Sequence, residues 1–138
     1  DYFNAMLSFS QLSSICDGKI LLLSKDRSVE DLITDSRKAL ISEHALFFAI
    51  RGDRHDGHQF IQSLYAKGIR QFVVEDLVTV SDLPDANILH VKSSIQALQA
   101  IASFHRKQFS IPVIAITGSN GKTIIKEWLY QLLSADYK

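Results

Sequence analysis

Short apolar runs alternate along this chain with segments whose apolar residues recur every three or four positions. Ile20–Leu23, Leu46–Ile50, Phe72–Val74 and Ile88–Val91 are runs of the length and composition that suit strands. Between them, Phe60, Ile61, Leu64 and Tyr65 make one helical face, with Gly68 placed to end that helix. A second helix is predicted after Ser93, where Ser93-Ser94-Ile95-Gln96 forms a capping box and Ile95, Leu98, Ala102 and Phe109 share a side. Near the start, Ser8-Phe9-Ser10-Gln11 is a further capping box, followed by Leu12, Ile15 and Cys16 at helical spacing, with Gly18 as the expected stop. Strands alternating with helices over residues 20–109 predict an α/β layered fold.

Pro112 marks a boundary, because it cannot continue the preceding helix and pushes Ile111 toward extended geometry. Val113-Ile114-Ala115-Ile116 is apolar on both faces, as expected of a strand covered on both sides in a parallel sheet. After a glycine-bearing loop, Ile124, Ile125, Trp128, Leu129, Leu132 and Leu133 repeat at i, i+4 and predict an amphipathic helix with a wide apolar stripe.

Composition narrows the class. The 138 residues are 46% hydrophobic and 22% charged, a profile of a globular domain with its own core. Fifteen basic and fifteen acidic side chains cancel, which removes any electrostatic case for nucleic acid or an anionic membrane surface. A single cysteine, Cys16, excludes an internal disulfide framework and fits a reducing compartment. No apolar run approaches the roughly 20 residues that span a bilayer, and no signal peptide is visible, so a cytoplasmic location is expected.

The chemistry concentrates in the loop Thr117-Gly118-Ser119-Asn120-Gly121-Lys122-Thr123, set between the predicted strand and helix. A nucleoside triphosphate needs many donors around its oxygens without crowding, and backbone N–H groups at glycines supply them. The positive end of the following helix adds to the attraction. Lys122 would reach the β- and γ-phosphates, and the Thr123 hydroxyl would ligand Mg²⁺. The general pattern G-x-x-x-x-G-K-[ST] would require glycine at 116, where this chain has isoleucine, leaving a shorter G-x-x-G-K-T. The alternative is an ordinary glycine-rich turn with an exposed lysine. Elsewhere, Thr34-Asp35-Ser36-Arg37 is a polar island that on its own reads as a turn with a local salt bridge. Two histidines three apart, His55 and His58, with Asp56 could bind zinc, but no further ligand pair stands at a recognised spacing.

Thr117–Thr123 after Val113-Ile114-Ala115-Ile116 resembles the ATP loop of the Mur ligase family. Asp35-Ser36-Arg37, then Leu46–Gly52, then Asp56-Gly57-His58-Gln59-Phe60-Ile61, then Gly68–Glu75, is similar to the N-terminal domain of those enzymes in the same order. Lys126-Glu127, and His58 with Phe60, look most like the MurF type, with the MurE type as runner-up. The resemblance implies two parts. Residues 1–110 would be the N-terminal UDP-substrate-binding domain, and 111–138 the first strand–P-loop–helix unit of the central ATP-binding domain. It implies substrate contacts from Thr34, Asp35, Ser36 and Arg37, and from Asp53, Arg54 and His55. It implies ATP held by Gly118, Ser119, Asn120, Gly121, Lys122 and Thr123, with Lys122 catalytic and Thr123 on Mg²⁺. The expected reaction is ATP-driven amide formation through an acyl phosphate, joining D-alanyl-D-alanine to a UDP-N-acetylmuramoyl-peptide. Other readings are a non-catalytic UDP-sugar-peptide binding module and an unrelated P-loop NTPase.

The match breaks off inside the central domain, so a piece of a longer ligase is expected. Such a piece should not ligate and should bind ATP weakly. Its terminal apolar stripe should pack on the N-terminal domain, self-associate or be partly disordered.

Overall fold

The computed structural model describes residues 7–37, 41–53 and 55–137. Among these described residues are seven strands: β1 (Leu7–Ser8), β2 (Lys19–Leu23), β3 (Ser28–Val29), β4 (Asp31–Ile33), β5 (Ala45–Phe48), β6 (Gln71–Val74) and β7 (Asn87–His90). Four α-helices accompany them: α1 (Leu12–Ile15), α2 (Ile61–Lys67), α3 (Ser94–Lys107) and α4 (Lys122–Leu133). The main sheet runs β2-β7-β6-β5-β4. Strands β4 to β7 are mutually parallel, and β2 closes one edge antiparallel to β7. A separate antiparallel ribbon pairs β1 with β3.

The period-2 alternation of a strand divides the sheet's two cores cleanly. Ala45, Phe47, Phe72, Val74 and Ile88 face one side and pack with Ile61 and Leu64 of α2. Leu46, Phe48, Val73 and Leu89 face the other and pack with Leu12 of α1 and Ala97 and Ile101 of α3. Every residue of β5 and β6 is buried, which is why these segments read as continuous apolar runs. The buried polar residues that open β6 and β7 are anchors. Gln71 Nε2 donates to the carbonyls of Ser28 and Glu43, at 2.9 and 3.1 Å. Asn87 Oδ1 accepts from Ser24 N at 3.0 Å while its Nδ2 donates to Lys25 O at 2.7 Å.

Several expectations need correction. The buried face of α3 is Ser94, Ala97 and Ile101 with Leu98 beside them, whereas Ile95 is 49% exposed and Ala102 is exposed. The hydroxyl of Ser94 bonds Ala49 O, so a polar residue occupies the inner stripe that Ile95 was expected to hold. At the end of α1 the left-handed residue is Asp17, at φ 50°, and not Gly18. Gly18 serves close approach, because a Cβ there would meet His90 O and Val91 Cγ1 at 2.9 Å. Strands β3 and β4, short and partly polar, carry no strong apolar pattern and were not foreseen.

Val113–Ile116 forms no ladder. Ile111, Val113 and Ile114 are more than 60% exposed, and no strand among the described residues pairs with them. Apolar character alone does not make a strand without a neighbour's N–H and C=O groups. The segment lies instead along α4, where Pro112, Ile114 and Ile116 share a groove with Leu129, Tyr130 and Leu133. Helix α4 forms as expected, but its stripe does not pack on the sheet: Trp128 is 62% and Leu132 is 73% exposed.

Candidate functional site

Open parallel sheets present ligand sites beyond the carboxyl ends of their strands. Here the chain leaves β4 at Thr34 and β5 at Ala49, so both sequence-predicted substrate segments emerge at that edge. They meet there. A cavity of about 380 Å³ is lined by Thr34, Asp35, Ser36, Arg37, Phe47, His55 and Phe60. Phe47, buried in the core face of β5, forms its floor. Phe60, expected on the buried face of α2, is instead 36% exposed, precedes α2 and lines the cavity. Asp53 is exposed in the adjoining loop and does not line it. Arg54 lies outside the described residues.

The Asp35-Ser36-Arg37 turn is tightly organised. Arg37 N and Nε each donate to Asp35 Oδ1 at 3.0 Å, and Nη2 donates to Oδ2 at 2.9 Å. This fork raises the Arg37 pKa above its ordinary value, first through the hydrogen bond from the guanidinium and then through charge. The local salt bridge expected of a plain turn is therefore present, and it sits in the wall of a cavity. The guanidinium remains 86% exposed, so the pair is screened and adds little to stability.

Opposite, residues 49–53 and 55–58 form the two arms of a narrow hairpin. Arg51 and Asp56 are bridge partners, Gly52 N donates to His55 O at 2.8 Å, and Gly57 N donates to Ile50 O at 2.9 Å. Gly57 is required by close approach: a Cβ would meet Ile50 N at 2.8 Å and Ala49 Cα at 2.9 Å. A polar ring holds the hairpin to the end of β6. Arg51 donates to Asp56 Oδ2 and to Asp76 Oδ2. Asp56 Oδ1 accepts from His58 N at 3.0 Å and contacts His58 Nδ1 at 2.6 Å. His58 Nε2 accepts from Glu75 N at 3.0 Å and Asp76 N at 3.2 Å. The donors on Asp56, His58 N first and its ring next, pull the carboxyl pKa down to about 2.

Asp56, His58 and Asp76 bring ligand-type atoms within 4.8 Å of one another. The Arg51 guanidinium already bonds both carboxylates, and both ring nitrogens of His58 are engaged, so the group is built around an internal cation. Cys16, expected in the core, is half-buried; burial pushes its thiol up to about 11, which suits packing and not nucleophilic attack.

The glycine loop carries two residues at positive φ. Gly118 has φ +151° and Gly121 φ +78°, both in the region that favours glycine. A Cβ at Gly121 would touch nothing within 4 Å, so conformation and not space demands that glycine. Ile125 N bonds Gly121 O at 3.0 Å, so α4 begins directly at the loop and the preceding N–H groups face outward from its positive end. Lys122 Nζ donates to Gly118 O across the loop. Ser119, Asn120 and Thr123 are exposed beside it. No helix among the described residues is long and apolar enough to cross a membrane.

Comparisons with known proteins bear on this arrangement. The model of the Mur ligase family, catalytic domain, matches residues 32–136. The UDP-N-acetylmuramoyl-tripeptide–D-alanyl-D-alanine ligase of Bacillus subtilis is 30% identical over 110 residues, covering 80% of this chain and 23% of that protein. The UDP-N-acetylmuramoyl-L-alanyl-D-glutamate–2,6-diaminopimelate ligase of Cytophaga hutchinsonii is 36% identical over 109 residues, covering 78% and 22%. Among solved structures, MurF from Acinetobacter baumannii superposes with TM-score 0.77 at 29% identity, over 95% of this chain and 28% of that one. MurF from Thermotoga maritima in complex with ADP superposes with TM-score 0.64 at 33% identity, over 78% and 24%. The chain spans about a quarter of the length of these relatives.

Proposed function

The chain belongs to the Mur ligase family, and from that premise we propose that it carries the nucleotide-sugar-binding part of a MurF-type ligase together with the start of its ATP-binding part. In this reading residues 1–110 bind the uridine diphosphate end of a UDP-N-acetylmuramoyl-tripeptide. Residues 111–138 begin the ATP domain of an enzyme that joins D-alanyl-D-alanine to that peptide. The observation that carries it is the single cavity at the carboxyl edge of β4 and β5. It brings Thr34–Arg37 together with His55, two segments that the family resemblance had paired and that lie about 20 residues apart.

The chemistry of the cavity suits such a ligand. Arg37 offers a guanidinium for a diphosphate, Thr34 and Ser36 offer hydroxyls, and Phe60, 36% exposed, offers an apolar surface for a ring. The glycine loop fits a triphosphate: two residues without Cβ, outward N–H groups at the start of α4, and Lys122 beside them. Gly118, Ser119, Asn120 and Gly121 would cradle the phosphates, Lys122 would neutralise them, and Thr123 would take Mg²⁺. The ion would supply charge neutralisation during phosphoryl transfer. The similar MurF of Thermotoga maritima was solved in complex with ADP, which supports nucleotide binding by a ligase of this type.

A diaminopimelate-adding, MurE-type ligase is the second reading, favoured by the 36% identity to the Cytophaga protein. Calorimetric titration of the chain separates the two. Binding of UDP-N-acetylmuramoyl-tripeptide in preference to the dipeptide form supports the first, and the reverse preference supports the second. Heat from neither ligand, with the protein folded, refutes the substrate-cavity reading.

A further inference from the structure

We infer that His58 is a positioning residue of this cavity: as the Nδ1–H tautomer it struts the 51–56 hairpin against the end of β6, and so sets His55 opposite Thr34–Arg37. The tautomer follows from the hydrogen bonds. Nε2 faces two backbone donors, Glu75 N at 3.0 Å and Asp76 N at 3.2 Å, so it must offer a lone pair. The proton then sits on Nδ1 and is donated to Asp56 Oδ1 at 2.6 Å. The side chain is only 11% exposed, so water competes poorly for either contact.

The strut acts on the cavity through a short lever. Asp56 directly follows His55, which lines the cavity. Asp56 is clamped by His58 on one oxygen and by Arg51 on the other, and Arg51 reaches on to Asp76. The loop is thereby tied to β6 twice, once through the imidazole and once through the guanidinium. Without the Nε2 contact, Glu75 N and Asp76 N lose their acceptor, and beyond the bond at its root from Ala49 N to Val73 O at 2.9 Å the hairpin keeps only the exposed Arg51 pair. Among the described residues, no other hydrogen bond from the hairpin tip reaches β6, and Gly52 N is taken up by His55 O at 2.8 Å.

Resting on the reading of the cavity as a uridine diphosphate site, the test uses the 138-residue chain and UDP as probe. Long-range ¹H–¹⁵N spectra of the imidazoles should show His58 with Nδ1 protonated and Nε2 bare at neutral pH. The Nε2–H form would overturn the strut regardless of any ligand. His58→Gln keeps an acceptor near the Nε2 position but loses the Nδ1 donor to Asp56, and His58→Asn keeps a donor near Nδ1 but withdraws the acceptor, so each cuts the strut at one end. Each should weaken UDP binding roughly tenfold, and only His58→Asn should speed amide exchange at Glu75 and Asp76. Parent-like affinity in both variants, with both folded by circular dichroism, would refute the positioning role. Absence of UDP binding by the parent chain, with the tautomer as expected, would instead refute the cavity reading on which the ligand effect depends.

Discussion

Replacing Gly57 by alanine sets a methyl group against backbone. An ideal Cβ would lie 2.8 Å from Ile50 N, 2.9 Å from Ala49 Cα and 3.0 Å from Ala49 C, against 3.4 Å or more for an ordinary contact. All three atoms are main chain, so no rotamer change relieves the overlap, and the hairpin must open by about half an ångström at its root. That root is closed by Gly57 N donating to Ile50 O at 2.9 Å. Overpacking of this kind costs about 1–3 kcal/mol, and losing the bond adds about 1 kcal/mol. The total is about 2–4 kcal/mol, or a melting temperature lowered by roughly 10 °C or more for a unit of this size. Gly52 is the internal control: its nearest neighbour, His55 O, is 3.6 Å from the added Cβ, so Gly52→Ala should change stability by less than about 0.5 kcal/mol. Urea unfolding followed by circular dichroism reads both. A Gly57→Ala variant as stable as Gly52→Ala would refute the close-approach reasoning and the hairpin geometry built on it.

Three further outcomes are expected. Asp56, held to about 2 in the folded chain against 3.8 for a free side chain, contributes stability that is fully present above pH 3.8 and is lost as pH falls toward 2. Carboxyl ¹³C titration should place its midpoint near 2, and Arg51→Ala should raise it only in part because the His58 donors act more strongly; a midpoint at or above 3.8 contradicts the ring. Asn87→Ala strands Ser24 N and Lys25 O at the foot of the sheet and should cost about 2–4 kcal/mol in urea unfolding; a loss below about 1 kcal/mol would show that water replaces the amide. Gly121→Ala forces a Cβ into φ +78° with no clash, so backbone strain of about 1 kcal/mol should appear as faster amide exchange in the first turn of α4, with circular dichroism of the sheet unchanged; an unaltered exchange pattern would argue against the left-handed conformation.

The chain's own pattern determined the α/β class, the central strands and the placement of α2, α3 and α4. Those features are local: a buried parallel strand is a run of apolar residues, a helix a recurring stripe, and Gly68 and Gly121 mark positive φ wherever they sit. The glycine loop was legible for the same reason, since Gly118, Gly121, Lys122 and Thr123 are neighbours in sequence. Tertiary structure alone decided the rest. Ser94 displaces Ile95 from the inner face of α3 because its hydroxyl finds Ala49 O, a partner 45 residues away. Val113–Ile116 stays unpaired because a strand exists only where another strand meets it. The Arg51–Asp56–His58–Asp76 ring joins residues up to 25 positions apart, and His58 acquires its tautomer from two amides at the end of β6. Residue types and spacing show where charge and glycine lie; only the parallel pairing of β5 between β4 and β6 turns those positions into one cavity, because hydrogen bonds and packing act through space and not along the chain.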